Sequence, residues 1–406
     1  MVEKSKNGGM SFGSDAEITT SVQTARILVV DDMALMRQMI GMCLNRGGYD
    51  NIHYASDGDE ALEAVEADLP DIVILDLNMP RVSGYEVCKA LRADKRFAGL
   101  PILVQSASET PEERVEVFKA GATDFVSKPI NQPELLARVQ MHLENKFLIH
   151  SLTDFRERMK SELVLAREMQ ESLLPEALTI NELEDTTNLK IEHYYQASFE
   201  LGGDLWGCWS LPGDRIGVFV LDISGHGVSA ALNTFRVHAV MGRFKWSLQD
   251  PALFLSDLNR VLAPHFPLGQ FATMFYYTLN YKTGDLVYAG AGAPRPMVVG
   301  ENGVRLLDSV GVPVGVIKKP GYENHTDRLE ENESLFCYSD VLVEAIQPDG
   351  TFLGEEGLVK WVEEVAESGD RSSLVSKILW RFFDSQPQAL PDDLTAVTVH
   401  RGGRQP

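Results

Sequence analysis

Between residues 26 and 130, five short apolar runs alternate with segments that have the periodicity of amphipathic helices. The apolar runs are RILVV, IHYA, DIVIL, PILVQ and DFVS, and the helical patterns lie near 35–45, 59–67, 85–92 and 112–120. Strands that alternate with helices in this way form a parallel sheet covered by helices on both faces. The pattern therefore predicts a doubly wound α/β domain with a five-stranded parallel sheet over residues 25–146.

Polar residues with recognisable chemistry follow four of these predicted strands. Sheets of this kind bind ligands at the carboxyl ends of their strands, so residues at those ends meet at one edge. We expect five residues to converge there: Asp31, Asp32, Asp76, Ser106 and Lys128. Clustered carboxylates repel one another, and a divalent cation relieves that repulsion. A serine hydroxyl and a lysine ammonium are suited to contact an added phosphoryl group.

These residues, in this order, resemble the response regulator receiver domain, and the resemblance extends over residues 26–145. It implies that Asp76 accepts a phosphoryl group from a sensor histidine kinase or a phosphotransfer protein. It also implies one Mg²⁺ ion, bound directly by Asp32, through water by Asp31, and by the backbone carbonyl of Asn78.

The remaining signature residues of the resemblance concern the response to phosphorylation. Ser106 and Lys128 correspond to the residues that sense the phosphoryl group, and Phe125 corresponds to the aromatic switch residue. The alternative is a domain of the same fold that is never phosphorylated. The presence of every site residue favours the phosphorylated domain.

A helical pattern begins at Pro133 and continues past the expected end of this domain to about Leu174, where Pro175 ends it. Its residues at alternating spacings of four and three form a heptad seam, with one charged member: Leu148, Leu152, Phe155, Met159, Glu162, Ala166, Met169 and Leu173. The seam predicts a coiled-coil linker over residues 147–175 that joins two copies of the chain. The alternative is that the stripe packs on the domain that follows. The segment AREMQESLLPE resembles the linker that precedes SpoIIE-type phosphatase domains.

The C-terminal half is dominated by strand-like runs. These are IEHYYQASF, DLWGCWSL, RIGVFVLDI, FATMFYYTLN, DLVYAGAG and SLFCYSD, with helical patterns near 230–246, 251–262, 355–367 and 372–383. Runs of strands interleaved with pairs of helices predict an α+β sandwich over residues 188–401.

Aspartates in this half lie at strand ends or in tight glycine-containing turns: Asp204, Asp222, Asp340, Asp392 and Asp393. A carboxylate at the end of a buried strand is costly unless it is paired or bound to metal. A cluster of oxygen ligands suits Mg²⁺ or Mn²⁺. Two such ions can share a carboxylate and activate water for attack on a phosphoryl group.

Six motifs occur here in the order found in the SpoIIE-like branch of the PPM phosphatases: LGGDLWG, LDISGHGVSAAL, FATMFYYTLN, AGAPRPM, LFCYSDVLVEA and PDDLTAVTV. The resemblance implies a β-sandwich flanked by helices, two Mn²⁺ or Mg²⁺ ions, and hydrolysis of phosphoserine or phosphothreonine. It implies that Asp222 bridges the two ions and that the Ile223 carbonyl is a backbone ligand.

The other implied roles belong to residues of the same motifs. Asp340 and Asp392 would complete the ligands of one ion, and Asp392 is followed directly by Asp393. Asp204 would bind or orient water at the metals. Gly225 and Gly227 would allow the intervening loop to turn tightly.

The sequence departs from the family pattern at three positions. Ala293 replaces the histidine of the usual AGH motif, Val341 replaces the glycine of the usual TDG motif, and Leu221 replaces a glycine. None of these changes removes a carboxylate. His226, in the SGHG segment, is expected to be a loop residue rather than a metal ligand.

Bulk composition excludes several classes of function. The formal net charge is −22, and without a basic patch a chain this acidic is not expected to bind nucleic acid. No apolar run approaches the length of a membrane span, and the four dispersed cysteines suit a reducing cytoplasm better than zinc or disulfides. Residues 1–24 have a polar composition that predicts a disordered segment without a signal sequence.

Together the resemblances imply a response regulator in which phosphorylation of Asp76 controls a phosphatase. The usual substrate in this branch is a phosphorylated anti-sigma-factor antagonist, a small STAS-type domain, which would connect the input to partner switching. The alternative is a phosphatase-derived adaptor that binds a sigma or anti-sigma factor without catalysis. Loss of Asp222, Asp340 or Asp392 would indicate such decay, and all three are present.

Overall fold

The computed structural model describes residues 22–106, 111–225, 227–267, 269–308, 310–347, 350–367, 373–385 and 390–403. The chain divides into two compact units, Met1–Lys160 and Ser161–Pro406. The segment 1–24 was predicted to be disordered, and its first 21 residues lie outside the described part of the chain. Val22, within the same segment, is buried in the core of the first unit. No helix among the described residues is both long and apolar enough to cross a membrane.

The N-terminal unit contains a five-stranded sheet in the order β2-β1-β3-β4-β5, and every neighbouring pair is parallel. This confirms the predicted doubly wound fold. Alternate residues of the central strands pack on opposite faces; Ile27 and Val29 join one apolar cluster, whereas Leu28 and Val30 join another. The elements are β1 (Ile27–Val30), α1 (Ala34–Arg46), β2 (Ile52–Ala55), α2 (Gly58–Asp68), β3 (Ile72–Asp76), α3 (Gly84–Ala93), β4 (Ile102–Ser106), α4 (Pro111–Ala120) and β5 (Asp124–Ser127).

A single 40-residue helix, α5 (Gln132–Glu171), follows this sheet. It ends slightly before the predicted Leu174, because Leu173 and Leu174 donate to carbonyls three residues back, as in a tightened last turn. The boundary between the two compact units, after Lys160, falls within α5 and inside the predicted linker 147–175.

The predicted heptad seam divides into two parts within the single chain. Leu148, Leu152 and Met169 are 46%, 45% and 58% exposed, whereas Leu173 is partly buried against the core of the second unit. The exposed part is available to a partner helix. The coiled coil therefore stays a prediction.

The C-terminal unit contains two five-stranded antiparallel sheets. The first has the order β13-β10-β9-β8-β7, and the second has the order β12-β11-β14-β15-β6. The strands are β6 (Leu189–Gln196), β7 (Leu205–Leu211), β8 (Arg215–Ile223), β9 (Ala272–Asn280), β10 (Asp285–Ala291), β11 (Met297–Gly300), β12 (Gly303–Leu306), β13 (His325–Arg328), β14 (Ser334–Tyr338) and β15 (Leu394–Arg401).

The two sheets pack face to face, as the period-two pattern of β8 shows. Val218 and Val220 lie in the apolar cluster between the sheets, whereas Phe219 and Leu221 lie in the cluster under the outer helices. Helices α7 (Val228–Met241) and α8 (Pro251–Leu262) cover the first sheet, and α9 (Gly354–Glu367) and α10 (Leu374–Ser385) cover the second. The predicted sandwich flanked by helices is confirmed.

One helix was not predicted. Helix α6 (Ala177–Thr187) follows the linker, and its Ile180 and Leu183 join the core between the sheets. The helix has few apolar residues to reveal its period, and its Leu178 is exposed.

Candidate functional sites

Three carboxylates meet at the carboxyl edge of the N-terminal sheet. Asp31 and Asp76 are buried, Asp32 is exposed, and one oxygen of each lies within 4.8 Å of the others. The Oδ1 of Asp31 accepts a hydrogen bond from the Met33 backbone at 2.9 Å. Burial raises the pKa of Asp31, and Asp76 and Asp32 add to that effect, while Met33 and Lys128 oppose it.

Lys128 connects this cluster to the strands β4 and β5. Its ammonium lies 2.9 Å from the Oδ2 of Asp76 and 3.5 Å from the Oδ2 of Asp31. Its backbone N–H donates to the carbonyl of Ser106 at 2.9 Å, which brings Ser106 to the same edge. The backbone N–H of Asn78 donates to the Oδ1 of Asp76 at 3.4 Å. The sheet thus gathers the predicted residues at one edge.

The donor set at this edge suits a small divalent cation. All the candidate side-chain ligands are carboxylate oxygens, which hard ions such as Mg²⁺ prefer. The Oδ2 of Asp31 is buried and accepts no hydrogen bond from any described residue. Asp31, Asp32 and Asp76 therefore fit the predicted ion.

Two arginines lie close to the ring of Phe125. The guanidinium carbons of Arg114 and Arg138 are 4.7 Å and 5.5 Å from the centre of its ring, and Phe118 meets it edge-on. Arg138 is held in turn by two hydrogen bonds to Asp124 at 2.7 Å and 2.6 Å. The predicted switch residue is thus half-buried beside cations rather than in the apolar core.

Four aspartate positions meet at one end of the C-terminal sandwich. Asp222 is next to last in β8 and pairs with Thr273 of β9, while Asp204 precedes β7. Because Leu205 pairs with Leu221, the antiparallel register brings Asp204 opposite Asp222. Asp340 follows β14 and Asp392 precedes β15, and these strands are also antiparallel neighbours.

The electrostatics of this cluster show that its carboxylates interact. Burial, followed by the charges of Asp340 and Asp392, raises the pKa of Asp222 to about 7. Burial, followed by Glu344 and Asp392, raises the pKa of Asp340 to about 6. Burial and the neighbouring Asp222 hold the pKa of Asp204 well above its ordinary value.

The cluster also contains a buried acceptor available to a cation. The Oδ2 of Asp204 accepts no hydrogen bond within the described residues. No three of these carboxylates approach one another as closely as the N-terminal trio in the part of the chain described. A two-ion centre spreads its ligands more widely, because its ions lie about 3.5–4 Å apart. Raised carboxylate pKa values and an orphaned buried oxygen fit a divalent cation centre.

Asp393 differs from its neighbour Asp392 in its contacts. Its Oδ1 accepts from the N–H and the hydroxyl of Ser198 at 2.7 Å and 3.0 Å, and its Oδ2 accepts from the N–H of Gly203 at 2.5 Å. Its carboxylate is thus directed at the loop that carries Asp204. We infer that Asp393 holds this loop in place.

Position 203 requires glycine because the backbone of Ile223 passes close to it. A Cβ at this position would lie 2.6 Å from the carbonyl oxygen of Ile223, the proposed backbone ligand. Ile223 also donates its N–H to the Gly203 carbonyl at 3.3 Å. Beyond Ile223, Gly225 and Gly227 have φ values of 91° and 75°, in the region that favours glycine. His226 lies outside the described residues.

The departures from the family pattern leave the surrounding backbone intact. Val341 lies in the right-handed turn Asp340–Leu342, where its buried side chain joins an apolar cluster. Leu221 is buried beneath the outer helices. Ala293 lines a cavity beside Asp340. The replaced glycines therefore introduce no positive φ, whereas the replaced histidine leaves space at the site.

Two residues at the site were not predicted from the sequence. Gln170, in the last turn of α5, is hydrogen-bonded to the backbone of Gly202, and Glu344 lies one turn after Asp340. The spacing of four from Asp340 could have indicated Glu344. Nothing in the helical pattern distinguishes Gln170 from an exposed glutamine.

Comparison with known proteins matches both units. The family described as the response regulator receiver domain matches residues 27–140, and the family described as stage II sporulation protein E (SpoIIE) matches residues 212–402. Response regulator MprA of Mycolicibacterium vanbaalenii is 45% identical over 115 residues, which are 28% of this chain and 48% of that protein. MprA of Mycobacterium leprae is also 45% identical over 115 residues, with 28% and 49% covered.

The chain spans about half the length of these curated relatives. Among solved structures, the SiaA-PP2C domain of Pseudomonas aeruginosa has a TM-score of 0.54 and 18% identity. That likeness covers 60% of this chain and 98% of that domain, and it supports the fold of the C-terminal unit. The chain therefore contains an N-terminal response regulator receiver domain over residues 27–140 and a C-terminal domain of the SpoIIE family, which is of the PPM phosphatase type, over residues 212–402.

Proposed function

We propose that the C-terminal domain removes phosphate from serine or threonine of a partner protein, using Mg²⁺ or Mn²⁺, under the control of phosphorylation at Asp76. One observation carries this proposal: Asp204, Asp222, Asp340 and Asp392 converge at one end of the sandwich, where burial and neighbouring carboxylates raise the pKa values of Asp204, Asp222 and Asp340. Such repulsion is costly in a protein that binds no cation there.

The residues divide into ligands and supports. Asp222, whose pKa the charges of Asp340 and Asp392 help to raise, is suited to be shared by two ions, with Asp340, Asp392 and the Ile223 carbonyl as further ligands. Asp204 holds or orients water at the centre. When bound, two divalent ions supply Lewis acidity to the phosphoryl group and lower the pKa of water. Asp393 and Gly203 keep the Asp204 loop against Ile223.

In the receiver, Asp76 is the proposed phosphate acceptor. A sensor histidine kinase or a phosphotransfer protein donates the phosphoryl group. The Lys128 ammonium, 2.9 Å from Asp76, is placed to neutralise the added charge, and Asp31, Asp32 and the Asn78 carbonyl hold one Mg²⁺. Ser106 lies at the same edge to donate a hydrogen bond.

Helix α5 is the proposed route of control. It begins in the receiver, and its last turn contacts the loop before Asp204 through Gln170. We propose that two chains pair through the exposed part of the seam and that phosphorylation changes this pairing. Exposed leucines at Leu148 and Leu152 support a partner helix.

The proposed substrate is a phosphorylated STAS-type anti-sigma-factor antagonist. The match to the SpoIIE family supports this choice. A signal reaching the receiver would then alter gene expression through partner switching.

The direct test is hydrolysis of p-nitrophenyl phosphate by the full chain with Mn²⁺, Mg²⁺ or EDTA. We expect metal-dependent turnover that Asp222→Asn abolishes, because that change removes the shared carboxylate. Asp384→Asn, an exposed aspartate near the end of α10, is the matched control and should retain activity. Absence of metal-dependent turnover, with or without acetyl phosphate, would favour the adaptor that binds a sigma or anti-sigma factor without catalysis.

A further inference from the structure

A cavity of about 500 Å³ opens beside Asp340. We call it the Asp340 pocket; its walls include Ala293, Pro294, Asp340, Glu344, Phe352 and Glu355. Ala293, Pro294 and Asp340 also line a small cavity that reaches Asp222. The pocket therefore continues outward from the carboxylate cluster.

The Asp340 pocket is larger than a phosphoryl group alone would fill. Pockets of about 300–1,000 Å³ bury most of the surface of a drug-sized molecule. The small side chain of Ala293 contributes to this space. A substrate whose phosphate lies at Asp222 and Asp340 thus has room to place an adjacent side chain in the pocket.

One wall of the pocket is a hairpin that presents an aromatic ring to solvent. Leu353 donates to the Ala345 carbonyl at 2.7 Å, and Gly354 donates to the Val343 carbonyl at 2.8 Å. Ala345 and Leu353 are buried in the domain core and anchor the hairpin. Phe352, between these anchors, is 69% exposed. An anchored hairpin with an outward ring provides apolar surface for a ligand.

The charge of the pocket is negative, and part of it is uncompensated. Glu355 is paired with Arg295, whose Nε lies 2.8 Å from Oε2. Glu344 makes no ion pair within the described residues, and its charge contributes to the raised pKa of Asp340. Glu344 thus leaves a negative charge beside the proposed phosphate site, and a cationic side chain of the substrate can neutralise it.

We propose, on the basis of the phosphatase function proposed above, that the Asp340 pocket is a specificity subsite for a basic residue beside the phosphorylated serine or threonine. Glu344 pairs with the ammonium or guanidinium, and the ring of Phe352 covers its stem. Cations over aromatic faces gain further attraction, and arginine uses this contact most often. The substrate class is therefore a phosphoprotein with lysine or arginine next to the phosphorylated residue.

The test compares two phosphoserine peptides that differ only in flanking residues, two arginines in one and two glutamates in the other. Phosphate release is measured with the full chain and Mn²⁺. We expect wild-type protein to prefer the arginine peptide by about fivefold in kcat/KM, mainly through KM, because the contact is present before and during the reaction. High salt should reduce this preference.

Glu344→Lys should abolish or invert the preference, and Phe352→Ala should raise KM for the arginine peptide by about two- to fivefold. Glu356→Lys is the matched control, since it makes the same charge change at an exposed position outside the pocket wall. Equal kcat/KM for the two peptides in the wild type, or an unchanged ratio in Glu344→Lys, would overturn the proposal.

The same peptides distinguish failure of the subsite from failure of the proposed function. If neither the peptides nor p-nitrophenyl phosphate is hydrolysed, the phosphatase function fails. Peptide binding measured by fluorescence anisotropy then decides on the subsite. Tighter binding of the arginine peptide, lost in Glu344→Lys but kept in Glu356→Lys, supports it, and equal binding overturns it.

Discussion

The side-chain amide of Gln170 and the backbone of Gly202 exchange two hydrogen bonds. Gln170 Nε2 donates to the Gly202 carbonyl at 2.6 Å, and the Gly202 N–H donates to Gln170 Oε1 at 3.1 Å. Nearby, Arg167 donates to the carbonyls of Glu200 and Phe199 at 2.7 Å and 2.8 Å. The last turns of α5 thus hold the loop that ends in Asp204.

Replacement of Gln170 should weaken metal binding at the catalytic centre. Gln170 is 2% exposed, so Gln170→Ala leaves two buried backbone groups without partners, at a cost of about 1–3 kcal/mol. We expect the Asp204 loop to loosen and the Mn²⁺ concentration for half-maximal activity to rise about tenfold. Titration of activity with Mn²⁺ measures this change.

Gln140→Ala is the matched control for this experiment. Gln140 is an exposed glutamine on the same helix, bonded to Glu144. Its replacement should leave the Mn²⁺ titration unchanged. An identical titration for Gln170→Ala and wild type would contradict a role for Gln170 in positioning the metal loop.

The phase of α5 should determine whether the receiver controls the phosphatase. One residue inserted near Glu162 rotates the following helix by about 100°, whereas seven residues nearly restore the seam. We expect the single insertion to retain basal hydrolysis but lose its response to acetyl phosphate. The seven-residue insertion should keep that response. Equal responses in both insertion variants would refute helical coupling.

The raised carboxylate pKa values predict a pH-dependent stability of the metal-free domain. Burial and neighbouring charges raise the pKa of Asp222 to about 7 and that of Asp340 to about 6, against about 3.9 for an unfolded aspartate. The folded state therefore holds more protons between these values. The stabilising contribution is present at low pH and is lost as pH rises toward 7.

Asp222→Asn isolates this effect, because asparagine resembles the neutral carboxyl. In EDTA at pH 8 the variant should have a Tm at least about 2–4 °C above that of the wild type, and the difference should shrink at pH 5. Excess Mn²⁺ should reverse its sign, since cations bind the ionised carboxylates. A Tm difference independent of pH would be inconsistent with the coupled cluster.

Asp392 and Asp393 should respond differently to the same substitution. Asp393→Ala removes the acceptor for the Ser198 and Gly203 N–H groups, and we expect a loss of about 1–3 kcal/mol in the free energy of unfolding. Asp392→Ala should abolish hydrolysis with a smaller loss of stability than Asp393→Ala, although the Oδ1 of Asp392 accepts a hydrogen bond from the Asp393 N–H at 2.8 Å. Urea denaturation and the hydrolysis assay separate the two outcomes. Equal destabilisation by both changes would show that Asp393 has no structural role beyond that of Asp392.

The order of the strands explains why much of both sites could be predicted. In the receiver, parallel strands end at one edge, so Asp31, Asp76 and Lys128 had to meet once the fold was known. In the phosphatase domain, Asp222 lies at the end of an apolar strand that could be recognised in the sequence. Resemblance to known families then supplied the roles of these residues.

The contacts that were not predicted depend on tertiary packing. The sequence predicts Gln170 to be an exposed residue of the helix. It is buried only because loop 199–202 packs against it. Asp393 and Asp392 are identical in type and adjacent, and only the folded structure shows that the Asp393 carboxylate is the one that contacts Gly203. Val341, which replaces a family glycine, is tolerated because its side chain enters an apolar cluster.

The claim that phosphorylation of the receiver controls the phosphatase is tested most directly by one comparison. The rate of phosphoserine peptide hydrolysis with Mn²⁺ is measured for wild type and Asp76→Asn, each with and without acetyl phosphate. We predict that acetyl phosphate changes the wild-type rate severalfold and leaves the Asp76→Asn rate unchanged. The same wild-type rate in both conditions, while mass spectrometry shows phosphorylated Asp76, would contradict the account.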